Sequence, residues 1–519
     1  MDKKSLKKLP LGISTFSEII QENYVYVDKT EQIYQMVTGG KYYFISRPRR
    51  FGKSLLVSTL AELFSGNKEL FKNLWIGHSD YDWQKYPVIR FDFSSISTVS
   101  VDELRYDIIG TLEENAADYD VDITKQQTIT GKFKALIKRL ASKERMVILV
   151  DEYDKPILDH VDNPLEARVY REVLKSLYIA IKGSDQYIRF VLLTGVSKFA
   201  KTSIFSGINN LRDITLSKFY ATLFGYTHQE LSDNFQNHLI AQVPAVGETV
   251  SSVIQNMRWQ YDGYQFFQNC EPVFNPYSVL TSLTENALEN YWFATGTPTF
   301  LIELLKTGQY SLDHIYQPIM SAHELDAFEP DAIKISALLY QTGYLTIIDY
   351  DRNAKMYTLD FPNHEVASAF NLLVSTSFTQ LTENQTKTYA AHILKTFIHQ
   401  DMTELQAVLQ NFFNEMPYNV HIRREFDLHI IIFSVFKLIG IEVDPEVVTS
   451  LGRADLVVSL QKLVYVIELE FNGSAAQALE QIKDKKYYEK YENTGKQITL
   501  VGINFDESTK TVSLESQTI

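Results

Sequence analysis

The sequence predicts an α/β fold whose first part is a doubly wound, mostly parallel sheet. Three observations carry this. Apolar runs at 42–45, 146–150 and 188–193 are continuous rather than alternating, as in strands buried on both faces. Stretches at helical spacing separate them, with Leu55, Leu56, Leu60 and Leu63 in one and 165–181 in another. The runs end in polar or charged residues, at the strand end where open α/β sheets hold ligands.

Taken in order, the first strand is aromatic and β-branched, and Pro48 stops it. Before it, Asp28 or Thr30 is a candidate cap for a helix over 31–36. A short strand follows at 86–93, and helical stretches span 101–140 with a break near Asp122. From about 225 the pattern turns helical. A helix over 333–340 then precedes a hairpin, 343–348 with 356–359, a winged-helix-like combination. Beyond 374, helices run to about 413 and again over 425–439. Strands at 453–460 and 463–471, a polar helix over 475–491 and a strand at 497–503 complete an α-β-β-α-β order. The expected domains are 1–225, 226–375 and 376–519, as a chain of 519 residues leads one to expect.

Composition narrows the function classes. A net charge of −14 argues against a general coating of nucleic acid or anionic membrane. Local basic clusters remain at Arg47, Arg49, Arg50 and Lys53, and at Lys483, Lys485 and Lys486. The one cysteine, Cys270, rules out an intramolecular disulfide and a thiolate zinc cage, which fits a reducing cytosol. The longest apolar run, 428–441, is interrupted by His429, Ser434 and Lys437 and is too short to span a bilayer. The N-terminal lysines have no apolar segment behind them, so a secretory signal is not expected. The expectation is a cytoplasmic protein without membrane partners.

The chemistry starts at Gly52-Lys53-Ser54, between the first strand and its helix. Gly lets backbone approach phosphates, and Leu55 and its neighbours offer helix N-terminal N–H groups. Lys reaches the β/γ-phosphates, and the Ser hydroxyl ligates Mg²⁺. The full loop pattern wants an earlier glycine where Arg47 stands. The plain alternative is a basic surface turn. Asp151-Glu152, ending a hydrophobic strand, supplies the second half: a Mg²⁺ carboxylate and a carboxylate able to orient water. Thr194 and Ser197 end a third strand and are candidates to polarise a γ-phosphate. Arg49 and Arg50 are candidate phosphate contacts.

Four stretches carry a resemblance: Tyr26-Val27-Asp28-Lys29-Thr30, Ser46-Arg47-Pro48-Arg49-Arg50-Phe51-Gly52-Lys53-Ser54, Val150-Asp151-Glu152-Tyr153-Asp154-Lys155-Pro156 and Thr194-Gly195-Val196-Ser197-Lys198-Phe199. Residues 10–225 resemble the AAA-ATPase-like domain of many bacterial proteins, a P-loop NTPase-like fold in which the first loop glycine is likewise absent. The resemblance implies binding of ATP and Mg²⁺ by Arg49, Arg50, Gly52, Lys53, Ser54, Leu55, Asp151 and Thr194. Ser54 and Asp151 would face the metal, Glu152 would be catalytic, and 226–375 would serve as a helical lid.

Residues 376–519 resemble the PD-(D/E)XK nuclease superfamily, a restriction-endonuclease-like fold. Thr449-Ser450-Leu451-Gly452-Arg453-Ala454-Asp455 and Val466-Ile467-Glu468-Leu469-Glu470 carry the likeness. It implies Asp455 and Glu468 as metal ligands and, with Glu470, as catalytic candidates. Glu425 is a further carboxylate, and DNA or RNA the partner. Mg²⁺ there would activate water. The superfamily pattern is Glu-x-Lys, and Glu470 occupies the Lys position. Lys483 or Lys486 is a candidate replacement. His421 and His429 lie nearby in sequence and read as structural. Three functions stay open: an ATPase or ATP switch coupled to a nuclease-like domain, a nucleotide-gated metal-dependent endonuclease, and a non-catalytic STAND-like protein with nucleotide-dependent homo-oligomers.

Overall fold

A computed structural model describes residues 6–142, 144–161, 163–198, 210–292, 299–308, 310–326, 334–438, 442–449 and 452–519. Phe199, Ser450 and Leu451 of the stretches quoted above lie outside them. The chain forms two compact units, 1–295 with 319–365, and 296–318 with 366–519.

The first unit is built on five parallel strands: β1 (Tyr42–Ser46), β2 (Val88–Asp92), β3 (Met146–Asp151), β4 (Ile188–Gly195) and β5 (Arg212–Asp213). Their order is β2-β3-β4-β1-β5. Every residue of β1 and β3 is buried, which explains their unbroken apolar runs: helices cover both faces. The register sets Phe44 and Val150 on either side of Leu193, so β4 separates the loop strand from the Asp-Glu strand. The helix Lys53–Phe64 leaves β1 through Gly52, whose φ of 89° a side chain would resist. At the preceding helix, Thr30–Gly39, the cap expectation fails: Lys29 is the N-cap and no side chain caps the helix, while Asp28 Oδ1, one residue earlier, accepts from the Thr30 amide and hydroxyl.

Beyond this sheet the unit is largely helical. The expected helix and hairpin are present as Ile335–Thr342, β7 (Thr346–Asp351) and β8 (Met356–Asp360). The short strand β6 (Ile319–Ser321) adds to β8, giving the antiparallel order β6-β8-β7.

The second unit carries the mixed sheet β13-β12-β11-β10-β9. Its strands are β9 (Glu442–Thr449), β10 (Gly452–Ser459), β11 (Leu463–Phe471), β12 (Gln497–Asp506) and β13 (Thr511–Thr518). Two strands thus join the expected α-β-β-α-β order, and both are edges. The expected polar helix stops early, spanning Ala475–Asp484, with a short 3₁₀ turn at Glu489–Thr494. It is the crossover joining the parallel pair β11 and β12. Val464 and Val466 pack with Leu479 and Ile482 on this side. Tyr465 points the other way, its ring 4.7 Å from Phe397 and its hydroxyl donating to the Phe397 carbonyl. Among the described residues no helix is long and apolar enough to cross a membrane.

Candidate functional site

The first site lies where β1, β3 and β4 end. Gly52 is exposed, Ser54 and Leu55 are half-buried, and the Lys53 side chain is folded inward. Its ammonium donates to the carbonyls of Arg47 (3.1 Å) and Pro48 (3.0 Å). Burial pushes the Lys53 pKa down, while Glu152, Asp151 and Asp154 pull it back up. Lys53 is thus a buried cation held by two loop carbonyls, with three carboxylates acting on it electrostatically.

Across β4, Asp151 is buried and accepts from the Thr194 hydroxyl at 2.5 Å. Thr194 is therefore tied to the Asp-Glu strand. Glu152 adopts φ 51°, a left-handed conformation costly for a residue with a side chain. Burial raises its pKa, and Lys53 opposes the rise. A raised carboxylate is a better proton acceptor for water than an ordinary one.

Asp154, quoted above only as part of a motif, organises the end of β4. Its carboxylate accepts from the amides of Val196 and Ser197 and from the Ser197 hydroxyl, the last two at 2.6 Å. A Cβ on Gly195 would stand 2.5 Å from Asp154 Oδ1 and 2.7 Å from the Tyr153 ring, so only glycine permits this approach. The three-residue spacing from Asp151 was the available signal.

Arg47 sits where the loop pattern wants glycine, and it is fully buried. Its guanidinium lies 4.0 Å from the Phe266 ring and donates to the carbonyls of Ser46, Thr215 and Tyr220. Burial lowers its pKa to about 10, so it stays charged at neutral pH. Its neighbours are gripped as well. Trp292 Nε1 donates to the Arg49 carbonyl at 3.1 Å. Arg50 lies 4.4 Å from the Tyr277 ring, and Phe51 packs on Tyr264. Arg50 is thus engaged with Tyr277, whereas the exposed Arg49 side chain acts electrostatically on both Lys53 and Glu152. Trp292 is itself held through its amide by Glu365, a buried carboxylate whose pKa burial raises to about 7. Sequence spacing contains no signal for Trp292 or Glu365, because both act across long separations.

The second site lies at the junction of β10 and β11. Continuing their register puts Asp455 opposite Glu468. The Asp455 amide donates to Glu468 Oε2 at 3.3 Å, and the Leu469 amide to Asp455 Oδ2 at 2.8 Å. Gln481 donates to the other Glu468 oxygen. Burial first, then Asp455, Glu470 and Glu425, raise the Glu468 pKa to about 9. Burial, Glu425 and Asp455 also raise Glu470, against His429. His429 Nε2 lies 3.7 Å from both Asp455 Oδ2 and Glu425 Oε1 and makes no hydrogen bond. The structure therefore brings together Glu425, Asp455, Glu468 and Glu470, with His429 added to them. Neither candidate lysine is brought in. Gln481 is the residue of the crossover helix that meets Glu468, Lys483 is exposed, and Lys486 pairs with Glu489 at 2.9 Å.

No three His, Cys, Asp or Glu side chains among the described residues form a ready metal cage. Backbone amides and Gln481 occupy both Glu468 oxygens and Asp455 Oδ2. The donor set is nevertheless hard oxygen with one imidazole, which suits Mg²⁺ or Mn²⁺ once Gln481 gives way.

A family model described as a predicted AAA-ATPase matches residues 10–205. One described as the PD-(D/E)XK nuclease superfamily matches residues 423–515. The chain is 37% identical over 521 residues to a protein of Azotobacter chroococcum mcd 1 described as an uncharacterized protein in the vnfD 5′ region. The match covers 98% of both chains.

Proposed function

The chain belongs to the family of that Azotobacter protein, joining an AAA-ATPase-like domain to a PD-(D/E)XK nuclease-like domain, and on that premise we propose that it is a cytoplasmic ATP-binding protein with Mg²⁺-dependent ATPase activity. The observation that carries this is the inward-folded Lys53 facing Asp151 and Glu152 at the strand ends of a parallel sheet. Lys53 neutralises the β/γ-phosphates in place of its present carbonyl partners. The amides after Gly52 point at the phosphates from the helix N-terminus. Ser54 and Asp151 are the residues that would hold Mg²⁺, which shields phosphate charge when bound. Glu152 orients water and takes its proton. Thr194 holds Asp151 in place, and Arg49 adds positive charge. Equilibrium binding of ATP to Lys53→Ala tests the reading. A loss of at least about 100-fold is expected, from removal of a buried charge-assisted contact worth ~3 kcal/mol. Unchanged affinity sinks it.

A second reading concerns the second unit: metal-dependent cleavage of DNA or RNA governed by the nucleotide domain. The cross-strand Asp455 and Glu468 pair favours it. Glu470 opposes it, because a carboxylate repels the phosphodiester that a lysine would attract. We take the unit to bind a divalent cation and nucleic-acid backbone, with cleavage weak at best. The readout is a nucleotide-dependent change in nucleic-acid affinity. Asp455→Ala removing a Mn²⁺-dependent cleavage would instead support the nuclease.

A further inference from the structure

The phosphate loop contains a strained residue, and its support comes from a distant carboxylate of the same unit. Arg50 adopts φ 68°, a left-handed conformation that a side chain resists. The peptide that enters Arg50 carries the Arg49 carbonyl, which accepts from Trp292 Nε1 at 3.1 Å. The indole is fixed in turn. Its ring packs on Tyr344, with centroids 5.4 Å apart. The Trp292 and Tyr291 amides both donate to Glu365 Oε1, at 2.7 and 2.5 Å, and the Ser278 hydroxyl donates to Oε2 at 2.7 Å. Glu365 is fully buried, in the first turn of the helix His364–Thr379. These N–H and O–H donors stand in for the water that a buried carboxylate has lost.

We propose that Glu365 is a positioning residue for ATP, holding the phosphate loop through Trp292, and that its protonation loosens that hold. This role rests on the nucleotide reading above. Oε1 already accepts from two amides, so an added proton goes to Oε2, and Ser278 must turn from donor to acceptor. The amides of Tyr291 and Trp292 then meet a neutral oxygen, a weaker acceptor than a carboxylate.

The change falls near neutral pH. Burial lifts the Glu365 pKa to about 7, against the pull of its three donors. The hold is therefore present above about pH 7 and is lost as pH falls through it. Tyr261, Tyr264 and Tyr291 feel the Glu365 charge, and burial keeps all three phenols above their ordinary range. His364, stacked on Trp259 with ring centroids 3.8 Å apart, is pushed down by burial. Tyr344, against the indole, is raised by burial while Arg49 opposes the rise.

The experiment is equilibrium binding of ATP to the full chain at about pH 6 and about pH 8. It compares wild type, Glu365→Gln, Trp292→Phe and the double variant, with Lys53→Ala as reference. Glutamine keeps the shape and an acceptor for both amides but cannot ionise. At the higher pH each single variant should bind roughly fivefold more weakly than wild type. The double variant should lose no more than Trp292→Phe alone, because both act through one bond. At the lower pH the gap between wild type and Glu365→Gln should close to within about twofold, whereas a packing defect would leave it unchanged. Wild-type affinity in Glu365→Gln at the higher pH, a gap that pH does not move, or additive losses in the double variant would each overturn the proposal. Loss of ATP binding in Lys53→Ala would leave the nucleotide reading standing in all three cases. If Glu365→Gln does not fold, Trp292→Phe decides: its gap from wild type should narrow at the lower pH, and a constant gap overturns the proposal. Wild-type affinity in Lys53→Ala would overturn the nucleotide reading and this role with it.

Discussion

Replacing Arg47 with glycine restores the loop pattern that the sequence lacks, and the structure predicts that it damages the protein. The guanidinium donates to the carbonyls of Ser46 (2.8 Å), Thr215 (2.9 Å) and Tyr220 (3.2 Å) and stacks on Phe266. Hydrogen bonds from a charged group contribute about 1.5–3 kcal/mol each, and a desolvated cation–π contact about 2 kcal/mol. The desolvation cost of the buried cation offsets much of this, so the net loss is about 3–5 kcal/mol. For a unit of this size that lowers the unfolding midpoint by roughly 5 °C. Tryptophan fluorescence is the assay, because Trp75, Trp83, Trp259 and Trp292 all lie in the first unit. Arg47→Lys should recover little, since a point charge cannot reproduce the planar fork. A melt of Arg47→Gly within 1 °C (about 0.7 kcal/mol) of wild type would refute the reasoning.

The remaining predictions are shorter. Glu468 is raised from 4.5 to about 9, so its protonated form stabilises the second unit fully below pH 4.5, and that stability is lost as pH rises toward 9. Calorimetric melts in EDTA should show this decline, and Mn²⁺ should reverse it at pH 8; a flat profile would contradict the carboxylate cluster. Glu470→Lys should raise Mn²⁺-dependent cleavage of single-stranded DNA at least about tenfold, since it replaces a repulsive charge with an attractive one; no gain means that another feature disables the site. Trp292→Phe removes the bond to the Arg49 carbonyl and should weaken ATP binding by roughly fivefold, the equivalent of ~1 kcal/mol. Wild-type affinity would show that this grip does not shape the loop.

The parallel sheet was legible because β1, β3 and β4 are covered on both faces, which forces unbroken apolar runs. β9 was not legible. It is an edge strand, and Glu442, Asp444, Pro445 and Glu446 are what edges tolerate and interiors do not. β13 hid for the same reason, with Ser513, Glu515, Ser516 and Gln517 along it. At the sites, Lys53, Asp151, Asp455 and Glu468 were readable because each sits at a strand end or beside a loop with its own local pattern. Arg47 was readable only as a misplaced residue, because Phe266, which accounts for it, belongs to a distant stretch. His429 read as an ordinary helix residue. Its part in the second site arises only from the packing of its helix beside β9 and β11, which brings its Nε2 to 3.7 Å from Asp455 Oδ2.

The account depends most on Lys53, Asp151 and Glu152 acting at one nucleotide. Calorimetric titration of Glu152→Gln with ATP and Mg²⁺, alongside its steady-state phosphate release, tests that directly. The predicted result is affinity within about twofold of wild type and turnover lowered by about 10²–10³-fold, as for loss of a base that positions water. Undiminished turnover in Glu152→Gln would contradict the account.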